Sequence, residues 1–198
     1  MILLVRTVIL TEYGHMTKQP THATHLYPKG WTDYRLVDSG QGLKLEQFGP
    51  YRFIRPEPQA LWAKFLPESE WTCADGVFLP GGTDDKGKWQ LSDKLPTSWQ
   101  MVFEDIKFTA LPTPFRHLGF FPEQSPNWQW TAKKIKAFIR KTNRAPKLLN
   151  LFAYSGVASL HAAAAGAEVT HLDASKKAVA LAFDCLLYTS PSPRDFQV

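Results

Sequence analysis

The chain has 198 residues, a 44% hydrophobic content and a formal net charge of +5, which allows one domain or two small ones around an apolar core. It contains no run of roughly 18 apolar residues and no Cys/His spacing of the zinc-site type, so we expect no transmembrane helix, no membrane partner and no bound metal. Cys73 is the one cysteine outside the C-terminal tail, which excludes a disulfide framework and favours a cytoplasmic protein, while the oligomeric state stays open.

The first 30 residues predict no regular secondary structure. Met1–Leu10 is apolar around one arginine, but it is too short to span a membrane and lacks the small-residue cleavage site of a signal peptide. Met16 is a candidate true start, in which case residues 1–15 are non-native upstream translation. Thr17–Gly30 is polar and irregular, so we expect residues 1–30 to form a loose lead-in.

Residues 31–111 carry short runs in which apolar and polar residues alternate, a pattern that predicts β-strands. Turn residues separate them at Asp38–Gly42 and Gly49–Pro50, and Pro80–Gly87 predicts a loop. The predicted strands are Tyr34–Asp38, Leu43–Gln47, Tyr51–Arg55, Lys88–Leu91, Gln100–Phe103 and Lys107–Ala110. We therefore expect a β-rich, antiparallel N-terminal domain over residues 31–111.

Ser125–Arg144 predicts an amphipathic helix. Its apolar stripe consists of Trp128, Ala132, Ile135, Phe138 and Ile139. The other side is basic and carries no acid, with Lys133, Lys134, Lys136, Arg140, Lys141 and Arg144, followed by Lys147. Such a face is either a patch that attracts nucleic-acid phosphates or an ordinary solvated helix face, and the sequence leaves both open.

A nucleotide-binding pattern follows this helix. Lys147–Phe152 is an apolar run typical of a buried strand, Ala153–Gly156 predicts a tight turn, and Val157–Ala165 is an alanine-rich helix. Glu168–Leu172 predicts a second strand, and Asp173 stands at its carboxyl end. This order of elements predicts the first part of a parallel sheet that binds a nucleoside. The acid follows the loop by roughly 20 residues, which is the distance typical of an acid that binds the ribose.

The loop itself favours one class of ligand. A dinucleotide needs a Gly-x-Gly-x-x-Gly loop so that the backbone can touch the pyrophosphate. This loop holds the bulky Phe152 and Tyr154 and a single glycine, Gly156, which disfavours close approach of a diphosphate. S-adenosylmethionine (SAM) has no phosphate and fits better. The predicted cofactor-binding residues are Asn150, Phe152, Ala153, Tyr154, Ser155, Gly156 and Asp173.

Two of these residues have competing interpretations. Asp173 is expected to accept hydrogen bonds from both ribose hydroxyls, although an aspartate in this position also caps helices. The amide of Asn150 is expected to bond either to the ligand or loop, or to neighbouring groups as a satisfied polar residue at a strand end. The sequence does not decide between the alternatives for Asn150.

These residues carry a resemblance to a known family. Leu149–Ser159 resembles motif I of class I SAM-dependent methyltransferases, and Val169–Lys177 resembles the next motif, whose acid holds the ribose. Thr113–Gln124 is similar to a segment that precedes this fold in bacterial 23S rRNA cytosine-5 methyltransferases, which adds Gln124 to the candidate cofactor residues. The resemblance implies a SAM cofactor, an rRNA substrate with cytosine C5 as the leading target, and an α/β Rossmann-like domain, of which residues 112–184 form an incomplete first part.

The end of the chain differs from the rest. Cys185–Asp195 resembles one reading frame of a transposase-type sequencing adapter, so we expect residues 185–198 to be a non-native tail on a truncated, inactive fragment. The family resemblance implies a catalytic cysteine in a later motif, beyond Asp184, which leaves the catalytic residues unknown. Two other functions stay open: a nicotinamide-dependent dehydrogenase of the Rossmann type, and a noncatalytic RNA-binding module that uses the basic helix and tryptophans.

Overall fold

A computed structural model describes residues 26–81 and 87–189, with the backbone alone for residues 185–189. The predicted lead-in up to residue 25, residues 82–86 of the predicted loop and residues 190–198 of the predicted tail lie outside the described residues. The elements in chain order are β1 (Tyr34–Gly40), β2 (Leu43–Phe48), β3 (Tyr51–Pro56), α1 (Glu68–Thr72), β4 (Gly76–Pro80), β5 (Gly87–Leu91), β6 (Trp99–Phe103), β7 (Ile106–Ala110), a 3₁₀ turn (Pro122–Gln124), α2 (Ser125–Thr142), β8 (Lys147–Leu151), α3 (Val157–Ala164), β9 (Glu168–Leu172) and α4 (Lys176–Thr189).

The β-rich region is a five-stranded sheet in the order β1-β2-β3-β4-β5, followed by the β6–β7 hairpin. All neighbours are antiparallel except β3 and β4, which run parallel and pair at Phe53 with Gly76 and at Ile54 with Val77. The β1–β2 hairpin closes through Gln41 and Gly42, which both have positive φ, as a two-residue turn of type I′ requires. The predicted β-rich region, followed by a helix and the first strands of a parallel sheet, is confirmed.

Two elements of the β-rich region are absent from the sequence-based prediction, namely the strand β4 and the single-turn helix α1. β4 begins with Gly76 and ends with Pro80, and both residue types are rare in strands. A Cβ atom at Gly76 would lie 2.7 Å from the Phe53 ring, so the close pairing with β3 requires glycine there. Val77 and Phe78 favour a strand, and contacts with β3 and β5 extend it over the unfavourable Gly76 and Pro80.

A buried ion pair connects the sheet to the segment that precedes α2. Arg55 of β3 donates to both carboxylate oxygens of Glu46 at 2.7 and 2.8 Å, and its Nη1 donates to the Arg116 carbonyl at 3.0 Å. Tyr34 donates to the same carboxylate at 2.8 Å. Burial alone would raise the pKa of Glu46, but the guanidinium of Arg55 holds that pKa below its ordinary value. The pair thereby fixes residue 116 against the sheet.

One hydrophobic core joins the β-rich region to the following α/β segment. Phe103 and Phe108 of the β6–β7 hairpin pack in the same cluster as Trp128 of α2 and as Val157 and Leu160 of α3. This cluster runs across the predicted domain boundary between residues 111 and 112, and the division into two domains stays a prediction.

Helix α2 differs in detail from the predicted amphipathic helix. It ends at Thr142 because Asn143 adopts a left-handed conformation with φ of 52°, rather than at Arg144. Phe138, which the apolar stripe predicts to be in the core, is 45% exposed. Within the described ranges, no helix combines the length and apolar character needed to cross a membrane.

The parallel pair β8–β9 is covered on one face only. Val169 is buried under α3 and α2, whereas Leu149, Leu151 and Leu172 are 60%, 52% and 55% exposed. The strand β8 is therefore not buried on the side that carries Leu149 and Leu151. For an incomplete sheet we expect Leu148, Leu151, Val169 and Leu172 to stay partly exposed, which is confirmed for all but the buried Val169. In the described part of the chain, the residues of that face are exposed along both strands.

Candidate functional site

The candidate site is the loop from Phe152 to Gly156, which follows β8 and leads into α3. Phe152, Tyr154 and Gly156 all have positive φ, at 58°, 49° and 85°. A left-handed conformation costs a residue other than glycine about 1–3 kcal/mol and persists only where the surroundings hold it. Two backbone–backbone hydrogen bonds help to hold this loop: the Ala153 N–H donates to the Leu172 carbonyl at 3.1 Å, and the Gly156 N–H donates to the Ala153 carbonyl at 3.0 Å.

Gly156 stands where α3, β9 and α4 meet. A Cβ atom at this position would lie 3.2 Å from the Cβ of Ala182 in α4 and 3.5 Å from Cε1 of His171 in β9. Its positive φ also disfavours any other residue. Both constraints explain why the single glycine of the loop lies at its end, at the N-cap of α3.

Asp173 connects this loop to the start of α4. Its Oδ2 accepts from the Tyr154 N–H at 2.9 Å, and its Oδ1 accepts from the Ser175 N–H at 2.8 Å. The side chain that caps α4 is Ser175, whose Oγ accepts from the Ala178 N–H at 3.3 Å. An ionised carboxylate can accept about four hydrogen bonds, so two such contacts leave Asp173 able to accept more.

Asn150 belongs to a buried polar chain behind the loop. Its Nδ2 donates to Ser159 Oγ at 2.9 Å, and Ser159 Oγ lies 3.1 Å from Nδ1 of His171. Burial lowers the pKa of His171, and its Nε2 has no hydrogen-bond partner among the residues that the structure describes. This chain links β8, α3 and β9. The contact with Ser159 agrees with the interpretation of Asn150 as a polar residue at a strand end whose amide bonds to neighbouring groups. The role of Asn150 toward a ligand stays a prediction.

An aromatic wall brings the Thr113–Gln124 segment against the loop. The ring of Tyr154 meets those of His117 and Phe121, with centroids 5.4 and 5.9 Å apart. Burial, followed by the nearby Asp173 carboxylate, raises the pKa of Tyr154 to about 12. The structure thus brings the Thr113–Gln124 segment into contact with the loop, two parts of the chain that the sequence patterns identified separately. His117 is absent from the predicted site residues, although it lies within the Thr113–Gln124 segment that resembles the family and could have been predicted from that position.

The remaining predicted residues lie in different environments. Within the loop, Ala153 and Ser155 are buried, whereas Phe152 is 89% exposed. Gln124 accepts from Asn127 Nδ2 at 2.8 Å and makes no hydrogen bond to the loop in the described part of the chain. In residues 26–81 and 87–189, no three His, Cys, Asp or Glu side chains come together as a metal site. The loop, Asp173 and the aromatic wall therefore form the candidate site.

Comparison with known proteins shows that the chain is similar to several solved structures. No protein-family model matches the chain, and no curated protein matches it either. The SAM-dependent methyltransferase from Agrobacterium tumefaciens is 44% identical with a TM-score of 0.77, over 85% of this chain and 52% of that protein. A candidate SAM-dependent methyltransferase from Streptococcus mutans is 14% identical with a TM-score of 0.59, over 85% of this chain and 46% of its own.

A further candidate methyltransferase, solved in complex with S-adenosylhomocysteine (SAH), is 14% identical with a TM-score of 0.57, over 85% of this chain and 45% of its own. The two matches at 14% identity show the fold alone. The chain spans about half the length of these proteins. It is therefore similar, in sequence and in fold, to one half of a SAM-dependent methyltransferase.

Proposed function

We propose that this chain forms the cofactor-binding part of a SAM-dependent methyltransferase. The observation that carries the proposal is the 44% identity to the Agrobacterium enzyme over 85% of this chain. The predicted cofactor loop and Asp173 are joined by a hydrogen bond at the carboxyl ends of two parallel strands, which is where nucleosides bind in such sheets. Methyl transfer by the whole protein is part of the proposal, because the chain spans only about half of its solved relatives.

The residues of the site fit SAM better than a dinucleotide. In this proposal Asp173 accepts hydrogen bonds from the ribose hydroxyls through its unused acceptor positions, and charged acceptors make the stronger bonds. The exposed ring of Phe152 provides an apolar surface beside the loop. A pyrophosphate would need close approach to the backbone at Phe152 and Tyr154, where both residues carry side chains and already have positive φ. This argues against the nicotinamide-dependent alternative.

When bound, SAM would supply a sulfonium methyl group: a nucleophilic atom of the substrate would attack the methyl carbon in line with the breaking carbon–sulfur bond, and SAH would leave. The contribution of this chain is then to hold the cofactor so that its methyl group is aligned with the nucleophile of the substrate, which is how positioning residues accelerate such a reaction. In this proposal Gly156 and Asp173 fix the conformation of the loop. The buried loop residues Ala153 and Ser155, and Asn150 of β8, pack behind the cofactor. The role of Gln124 as a cofactor residue is proposed only from its position in the Thr113–Gln124 segment.

We propose RNA as the substrate, with rRNA as the leading class and cytosine C5 as the leading target atom. The support is the similarity of Thr113–Gln124 to a methyltransferase segment, together with a net charge of +5 that favours polyanionic partners. No catalytic residue is assigned. Cys73 is exposed after α1 and makes no hydrogen bond to the loop, so it is a poor candidate for a nucleophile.

Calorimetric titration with SAM, SAH and NAD tests the cofactor assignment. We expect SAM and SAH to bind and NAD to bind far more weakly. Replacing Asp173 with Ala removes the acceptor for two ribose hydroxyls and should cost roughly 2–4 kcal/mol, or at least about 30-fold in affinity. Asp93→Ala is the matched control, since Asp93 is an exposed acid in the turn after β5.

Preferential binding of NAD would contradict the proposal. So would an Asp173→Ala variant that binds SAM as tightly as the unchanged chain. Circular dichroism and a thermal melt of each variant establish that a loss of binding is not a loss of fold.

A further inference from the structure

Helix α2 carries a basic stripe along one side of a cleft. Lys133, Lys136 and Arg140 line this cleft of about 270 Å³, together with Gln129, Ala132 and Glu104. At 3.6 residues per turn, the three cations recur within a narrow arc of the helix surface over about two turns, or roughly 10 Å. They therefore present a continuous line of positive charge rather than charges scattered around the helix.

The cations of this stripe are unneutralised within the described residues. Lys133, Lys136 and Arg140 are exposed, and none of them lies within 4.0 Å of a carboxylate oxygen. Glu104, the one acid in the cleft, accepts from Gln129 Nε2 at 3.0 Å and sits in the β6–β7 turn with φ of 52°. The amide of Gln129 is neutral, so Glu104 keeps its negative charge, and the cleft presents three cations against one anion. The excess positive charge is available to an external anion.

A second stripe on the same helix is aromatic. Trp130 and Phe138 are 44% and 45% exposed, although large apolar side chains normally favour the core. Lys134 lies between them, with its ammonium 5.5 Å from the centre of the Trp130 ring. Ala137, small and exposed, separates the aromatic stripe from the basic one. Exposed rings beside a line of cations are the features by which proteins bind single-stranded nucleic acid.

We propose that this two-striped face of α2 binds single-stranded nucleic acid, with phosphates along Lys133, Lys136 and Arg140 and bases stacked on Trp130 and Phe138. The proposal rests on the proposed function in one respect, because it gives the RNA substrate a docking surface. Binding here requires no SAM, so the two can be tested separately. An acidic protein is disfavoured as the partner since it would leave the exposed rings without stacking partners.

The test is fluorescence anisotropy of a labelled single-stranded 12-residue RNA against the whole chain over a range of salt concentrations. Three phosphate contacts predict a slope of log K against log salt of about −2. The variant Lys133→Glu/Lys136→Glu/Arg140→Glu should abolish binding, and the corresponding triple alanine variant should remove most of the slope. Trp130→Ala should weaken binding at least about fivefold, because base stacking contributes at this scale.

The matched control is Lys88→Glu/Lys94→Glu/Lys107→Glu, which makes the same change in net charge at exposed lysines of the β-rich region. We expect it to retain most of the binding. Equal losses in the control and in the α2 variant would overturn the proposal, as would salt-independent binding. Polyglutamate that binds as tightly as RNA would also overturn it, in favour of an acidic protein partner.

Failure of this proposal can be distinguished from failure of the proposed function. Normal SAM binding without RNA binding would reject only the α2 surface. RNA binding with the expected variant effects, but without SAM binding, would reject only the cofactor assignment.

Discussion

The carboxylate of Asp173 accepts a hydrogen bond from the backbone N–H of Tyr154 at 2.9 Å, across 19 residues of sequence. The contact ties the end of β9 to the middle of the loop that follows β8. Tyr154 has a left-handed backbone, and a charged acceptor is a strong means of holding such a conformation. The acid therefore shapes the loop in the absence of any ligand, in addition to its proposed role toward ribose.

The first prediction is that removal of this carboxylate loosens the loop. In Asp173→Ala the Tyr154 amide loses a hydrogen bond to a charged group, which contributes about 1.5–3 kcal/mol. Amide hydrogen exchange at Tyr154 should accelerate roughly tenfold or more, as read by NMR without cofactor. Asp93→Ala should leave it unchanged. Undiminished protection of Tyr154 in the Asp173 variant would show that other contacts hold the loop.

The second prediction concerns the crowding at Gly156. Gly156→Ala adds a Cβ atom 3.2 Å from Ala182 at a φ of 85°, and should lower the free energy of unfolding by about 1–3 kcal/mol. Gly42→Ala is the matched control, because Gly42 has a φ of 75° but nothing within 4 Å of the added atom. Urea unfolding should give the larger loss for Gly156→Ala. Equal losses would mean that backbone strain accounts for the whole effect.

The third prediction is that the buried Glu46–Arg55 pair is costly to break. Glu46→Gln leaves the Arg55 guanidinium buried without its charge partner, and such a change costs about 3–5 kcal/mol. The exposed Glu68 pairs with Lys64 at 2.9 Å, and Glu68→Gln should cost less than about 1 kcal/mol. Chemical unfolding compares the two variants. Similar small losses in both would contradict the assignment of a structural role to the buried pair.

The fourth prediction is a pH dependence that arises from His161. Burial lowers its pKa to about 4, and its ring stacks on Trp128 at a centroid distance of 5.2 Å. An unfolded histidine titrates near 6.5, so between these values the unfolded state binds more protons and stability falls as the pH falls. From pH 7.5 to pH 4.5 this group should reduce the free energy of unfolding by about 2 kcal/mol.

His161→Phe keeps an aromatic ring against Trp128 but cannot take up a proton. Urea unfolding at the two pH values should therefore show a smaller loss for this variant than for the unchanged chain, by about 2 kcal/mol. The carboxylates contribute equally to both proteins and cancel in the comparison. Identical losses in the two proteins would exclude His161 as the source.

Local sequence patterns determined the elements that surround the site. β9 has the predicted bounds, Glu168–Leu172, and α3 begins at Val157 as predicted. These elements follow from apolar periodicity and from the positions of a glycine and an acid, all of which lie within a few residues of the structure they specify. The order of strand, loop, helix, strand and acid was therefore visible in the sequence, and with it the candidate loop and Asp173.

The tertiary structure decided the features that depend on residues far apart in the chain. β4 is a full strand because β3 and β5 pair with it, whereas its local signal is limited to Val77 and Phe78 between a glycine and a proline. His117 contacts Tyr154 across 37 residues. Which face of β8–β9 is covered depends on where α2 and α3 pack. Local propensity contributes only fractions of a kcal/mol per residue, whereas pairing and burial between distant segments contribute several, so the latter decide such features.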